Sequence, residues 1–128
     1  MKQPDFPEPE YLRPDMLAAL RAWRRLAGST ADLLAYLLLV QEQRRMLVEG
    51  DPSNLRLATN RVLLAGIEML EKQDEPGAHI LRLRFLDDRT VLEVGHKLNL
   101  TEDEVKKRQR QAIEDLAGIV WRRESPMR

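Results

Sequence analysis

The 128-residue sequence contains no cysteine, which removes disulfides, thiolate metal sites, iron–sulfur clusters and cysteine nucleophiles together. It has no net charge either, because 21 basic side chains stand against 21 acidic ones. That balance excludes a basic coat that would bind nucleic acid indiscriminately, and it equally excludes an acidic tail. A local basic face stays open, since association follows the charge of the contact surface more than the total. Long apolar runs are missing as well. The most apolar window, Ala31 to Val40, has ten residues, against the roughly 20 that a membrane-spanning helix needs. The start, Met1-Lys2-Gln3-Pro4-Asp5, lacks the apolar stretch of a secretion signal. A soluble cytoplasmic chain with no membrane partner is expected.

Catalytic and metal-binding patterns are scarce too. His79 and His96 are the only histidines, and neither belongs to an HExxH spacing, so no metal is expected. The six glycines form no phosphate-cradling loop. Asp87-Asp88 reads as an acidic turn neutralised by Arg89 rather than as a catalytic carboxylate pair. No enzymatic activity and no cofactor are predicted.

What remains is helical. With 43% hydrophobic residues the chain can bury a real core, and its length suits one domain or one domain plus an arm. Residues 1–13 hold Pro4, Pro7 and Pro9 and predict an extended arm, with Phe6 and Tyr11 as docking points. Residues 14–128 predict a single helical domain, in which 14–73 form scaffold helices and 76–122 a helix-turn-helix unit. Pro14 suits a first helical turn, opening a helix that Gly28 stops. Ser29 or Thr30 then caps a second helix, about Ala31 to Glu49. Asp51-Pro52 opens a third, to about Gln73, with Leu55, Ala58, Val62, Ala65 or Gly66, and Met69 as its core stripe. Met46 is also read as core. No stretch alternates as a strand does, so the fold class is all-α: a helical bundle with a C-terminal helix-turn-helix.

The informative stretch is Thr90 to Val105. Thr90 with Glu93, and Thr101 with Glu104, are two successive capping boxes, each marking a helix start. Their spacing leaves a helix of eight residues and a very short turn. Val91, Val94 and Leu98 form the apolar face, Gly95 permits close approach, and Asn99 suits a left-handed helix end. Val105, Ala112, Ile113, Leu116 and Val120 continue that face. Two helices across so tight a turn make either a plain packed hairpin or a helix-turn-helix whose second helix enters a DNA major groove.

Ile80-Leu-Arg-Leu-Arg-Phe85, the capped pair that follows, and Ala112-Ile113-Glu-Asp-Leu116 together resemble region 4 of bacterial sigma factors. Lys106-Lys107-Arg108-Gln109-Arg110, with the helices before it, is similar to sigma-like helix-turn-helix domains at the N-termini of bacterial multidomain regulators and STAND-type nucleotide-switch ATPases. By position, the resemblance implies that Thr101, Glu102, Asp103, Lys106 and Lys107 face DNA. It places Arg89 near a backbone-contacting turn and gives Arg110 a further phosphate contact. The sequence departs from the family where Glu102-Asp103-Glu104 opens the second helix and where Arg108 takes a usually apolar position.

Two functions follow as expectations. One is a DNA-binding transcriptional regulator whose partner is double-stranded DNA. The other is a protein–protein adaptor or signalling module that keeps the fold without binding DNA. A third feature bears on association. The window from Ala31 to Val40 is apolar nearly all round, so it is either a buried central helix or a face on which Leu34, Leu38 or Leu39 meets a partner protein or a second copy.

Overall fold

The computed structural model describes residues 9–24, 34–51 and 53–128. Among these residues there are six α-helices and no strand: α1 (Pro9–Arg21), α2 (Leu38–Arg45), α3 (Asn54–Gln73), α4 (Glu75–Leu81), α5 (Val91–Leu98) and α6 (Glu102–Glu124). A π-helical turn, Arg82–Leu86, extends α4, and a 3-10 turn, Ser125–Met127, follows α6. The all-α expectation holds.

The N-terminal boundaries differ from the periodicity reading. The first helix begins at Pro9 and carries Pro14 in its interior, so residues 9–13 are helical rather than extended. A proline suits a first helical position because its missing N–H has no intrahelical partner there, and Pro9 provides that start before Pro14 does. Phe6, Gly28, Ser29, Thr30 and Pro52, to which the sequence assigned docking, stop or cap roles, lie outside the described residues, as does the Tyr11 side chain. Where one helix was expected to reach Glu49, α2 spans only eight residues, preceded by a turn at 34–36.

One core joins α1, α2, α3, α4 and α6. Leu12, Met16 and Leu20 of α1 meet Leu37, Val40, Leu63, Ile67, Leu70, Leu81, Leu116 and Val120. Leu34 belongs to it as well and is 0% exposed. The core stripe of α3 is Ala58, Thr59, Val62, Leu63, Gly66, Ile67 and Leu70. Ala58, Val62 and Gly66 of the expected stripe are buried, whereas Met69 is 42% exposed and Met46 66% exposed, so neither methionine is core; the buried face widens instead to Thr59, Leu63, Ile67 and Leu70. At Gly66 a side-chain Cβ would lie 2.7 Å from Leu116 Cδ1, which lets α6 approach α3 closely.

Polar groups close the helix ends. Arg56 and Asn60 of α3 donate to the Ala19 and Trp23 carbonyls at 3.2 and 3.0 Å, tying the end of α1 and the turn after it to α3. The Tyr36 hydroxyl donates to Asp15 Oδ2 at 3.2 Å. Burial, with the Asp15 charge behind it, raises the phenol pKa to about 12. Glu124, fully buried, accepts the backbone N–H groups of Leu38 and Leu39 at 2.9 and 3.0 Å and the Nε–H of Arg128 at 2.7 Å. The last turn of α6 thus provides the carboxylate that caps α2.

Candidate nucleic-acid interface

The helix-turn-helix has its own small core. Ile80, Leu83, Val94 and Val105 are buried together, with Val91, Leu98 and Leu100 packed against them. Because α4 and α6 contribute to both cores, the unit is braced against the scaffold.

Its turns are local in origin. Asp88 takes a left-handed conformation (φ 56), and the Arg89 N–H returns to the Leu83 carbonyl at 2.9 Å, one residue further back than the six-to-one bond of a Schellman end, because the helix ends in the wider π-turn. Asn99 repeats the device at the other end of α5, with φ 58 and the Leu100 N–H donating to the Gly95 carbonyl at 2.8 Å. The turn folds so tightly that a Cβ on Gly95 would sit 2.7 Å from the Leu100 carbonyl oxygen. Gly95 therefore accommodates the turn backbone more than the second helix, the role expected for it.

Both capping boxes form. Thr90 N–H donates to Glu93 Oε1 at 3.0 Å, and Glu93 N–H to Thr90 Oγ1 at 3.1 Å. Thr101 and Glu104 repeat the pair at 3.0 and 3.1 Å. These hydrogen bonds hold the Glu93 and Glu104 carboxyls below the ordinary glutamate range, with a smaller contribution from Arg89 and Arg108 respectively. One of the three acids opening α6 is therefore bound back onto its own helix start.

Every residue assigned to DNA from the resemblance is exposed: Arg89, Thr101, Glu102, Asp103, Lys106, Lys107 and Arg110. Asp103, Lys106, Lys107 and Arg110 stand at i, i+3, i+4 and i+7 and share one face of α6. Glu114, next on that face, pairs with Arg13 of α1 at 3.0 Å. The three basic side chains are thus contiguous, bounded by Asp103 at one end and by a closed ion pair at the other. None of the three forms an ion pair among the described residues. Arg89 is paired with Glu93 at 3.3 Å, both half-exposed; such surface pairs contribute little, so Arg89 can turn to another anion at small cost. Arg108 is exposed, one turn from Glu104, which is why a charged residue is tolerated there.

Residues 74–117 match the family model for sigma-70, region 4. That family is one of DNA-binding helix-turn-helix domains, and the match covers about a third of the chain. The region-4-like segment begins at the Asp74 cap of α4 and ends within the part of α6 that enters the main core. No curated protein and no solved structure shows significant similarity to the chain.

Arg84 is a functional residue that sequence reasoning missed. Its Nε–H donates to Gln109 Oε1 at 2.9 Å and its Nη1–H to the Arg89 carbonyl at 2.6 Å, with the guanidinium 5.5 Å from the Phe85 ring centroid. One side chain thus ties the π-turn, the entry to α5 and the exposed half of α6. The repeated Leu-Arg-Leu-Arg-Phe pattern was its only trace.

The association reading changes. Leu34 is inside the chain's own core and unavailable to a partner, because the turn at 34–36 points it between the helices. Leu38 and Leu39 are half-buried, and Leu39 packs on the core. An open cleft of about 420 Å³ lies beside α5, lined by Leu83, Arg89, Glu93, Val94, His96 and Lys97, with Leu92 55% exposed on the same helix. No helix among the described residues is long and apolar enough to cross a membrane.

Proposed function

We propose that this chain is a cytoplasmic, DNA-binding regulator of transcription that places the N-terminal half of α6 in the major groove of double-stranded DNA. The observation that supports this best is the uninterrupted set Lys106, Lys107 and Arg110 on the exposed face of a helix held by two tight, capped turns. Lys106 and Lys107 contact base edges or phosphates, Arg110 a phosphate one turn further on, and Arg89 and Thr101 anchor the backbone. Glu102 and Asp103 flank the set, where a carboxylate can accept from a cytosine amino group. The finer likeness, to modules of bacterial multidomain regulators and STAND-type ATPases, belongs to the same proposal, as does the folding of the helices α1 to α6 as one unit.

Fluorescence-anisotropy titration of labelled duplex DNA across salt tests it. Log K is expected to fall linearly with log salt, by about 0.9 for each phosphate neutralised. No binding tighter than about 10⁻⁴ M at low salt, the weak end of ordinary non-specific affinity, sinks the reading. Lys106→Glu with Lys107→Glu should abolish binding and leave the helical circular dichroism unchanged.

The cleft beside α5 favours a second reading, a protein–protein adaptor. Its Leu83 and Val94 floor, the exposed Leu92 and the half-buried Leu38 and Leu39 would then meet a partner protein or a second copy. Light scattering across concentration checks for self-association, and a strict monomer removes the homodimer.

A further inference from the structure

We propose that the DNA target read by α6 has a core of G·C base pairs, with Asp103 accepting from a cytosine amino group and Lys107 donating to a guanine edge. The inference rests on the DNA reading above and names the sequence class that this helix selects.

Helix geometry picks out the two residues. At about 3.6 residues per turn, Lys107 stands nearly opposite the buried row Val105, Ala112, Ile113 and Leu116, so it points furthest from the core. Asp103, one turn earlier, lies about 40° to its side. Both are exposed. An acid and a lysine at this spacing can pair on a helix, yet neither forms an ion pair among the described residues. The spacing puts their Cβ atoms about 5–6 Å apart. Bases follow one another about every 3.4 Å along a strand, so the two side chains reach neighbouring pairs.

The chemistry of this face is one-sided. A recognition helix reads base edges with its N-terminal residues. In the first two turns of α6 the exposed side chains are Glu102, Asp103, Glu104, Lys106, Lys107 and Arg108, all of them carboxylates or cations. Carboxylates suit the cytosine amino group, and lysine or arginine the O6 and N7 of guanine. Adenine is read by an asparagine or glutamine amide and the thymine methyl by an apolar contact; these two turns expose neither. Val105 is fully buried, and Gln109 is half-buried with its Oε1 held by Arg84. The first exposed amide of α6, Gln111, comes only in the third turn, where its Nε2 donates to Asp115 at 3.0 Å. Glu104 is bound back by the Thr101 N–H, a structural use of an acid. Asp103 has no such bond, and its structural role is to complement the helix dipole, which requires no base.

Base composition of the probe separates these roles. Fluorescein-labelled duplexes of one length are titrated with the full chain at one salt concentration: one of G·C pairs in mixed order, one of A·T pairs, and a G·C duplex carrying 7-deazaguanine. That base lacks N7 in the major groove and keeps its pairing with cytosine. The G·C duplex should bind at least about fivefold tighter than the A·T duplex, the lower end of what one good base contact contributes, and 7-deazaguanine should remove most of that preference. Asp103→Ala should narrow the ratio of the two affinities, because the lost repulsion of phosphate raises both alike while the cytosine contact is lost from one. Its circular dichroism spectrum should match the wild type. Equal wild-type affinity for the G·C and A·T duplexes overturns the inference and leaves the DNA reading standing. So does a preference untouched by 7-deazaguanine or by Asp103→Ala, which assigns the selection to duplex shape. Absence of binding to every duplex overturns both.

Discussion

The guanidinium of Arg84 donates from Nε to Gln109 Oε1 at 2.9 Å, joining the π-turn before the helix-turn-helix to the exposed half of α6. The same side chain holds the Arg89 carbonyl, so one half-buried arginine sets the angle at which the basic stripe is presented. Arg84→Met keeps much of the apolar stem and loses both hydrogen bonds. Bonds to a charged group contribute about 1.5–3 kcal/mol each, and partial exposure reduces that here. A destabilisation of about 1–3 kcal/mol by urea titration is expected, together with weaker DNA binding. An unchanged urea midpoint would show that packing alone sets the angle.

Gly95→Ala tests the turn. The new methyl would meet the Leu100 carbonyl, a backbone atom that cannot rotate away. Overpacking of this kind costs about 1–3 kcal/mol, and the disturbance should fall on α5 and the start of α6. Hydrogen exchange is expected to speed up at Leu100 and Val105 while Leu63 and Ile67 of α3 keep their protection. Uniform loss of protection would contradict a local effect.

The capping boxes make stability depend on pH with a definite sign. Glu93 and Glu104 have lowered pKa values in the folded chain, so the unfolded chain takes up their protons first. Their contribution is complete above the unfolded value, about 4.3, and is lost as pH falls through the folded values. Thr101→Ala removes the hydroxyl that caps α6, at a cost of about 1 kcal/mol near neutral pH. The gap between wild type and Thr101→Ala in urea midpoint should narrow below pH 4.3. A gap that is constant down to low pH would mean that the Glu104 carboxylate takes no part.

Glu124 offers the largest single effect outside the helix-turn-helix. Its carboxylate is fully buried and accepts from Leu38, Leu39 and Arg128. Glu124→Ala removes the acceptor that the Leu38 and Leu39 N–H groups and Arg128 Nε–H share, and breaking a buried pair in this way costs about 3–5 kcal/mol. Glu124→Gln retains an acceptor and should cost less. Thermal unfolding of the two variants checks the order, and equal stability of Glu124→Ala and wild type would refute the capping role.

The helix-turn-helix was the legible part. Thr90 with Glu93, Thr101 with Glu104, and Asn99 act on neighbours within five residues, so their geometry follows from local chain conformation. The matched segment, 74–117, is where those local signals are densest. The candidate DNA residues were placed by resemblance to a family, and their common exposure follows from the apolar period of Val105, Ala112, Ile113 and Leu116, which turns them outward.

The N-terminal half was read less well for the same physical reason. Leu34, Met46 and Met69 are apolar at plausible helical spacings, and period alone cannot separate a core position from a half-covered one. By itself the sequence determined the helical class, the two capped turns and the charge balance of the recognition helix, all consequences of interactions within a turn or two. Tertiary structure decided where α1 and α2 begin and that Leu34 is buried. It also decided that Glu124 caps a helix 86 residues away and that Arg84 braces α6, because each of these depends on partners brought together only when the chain packs.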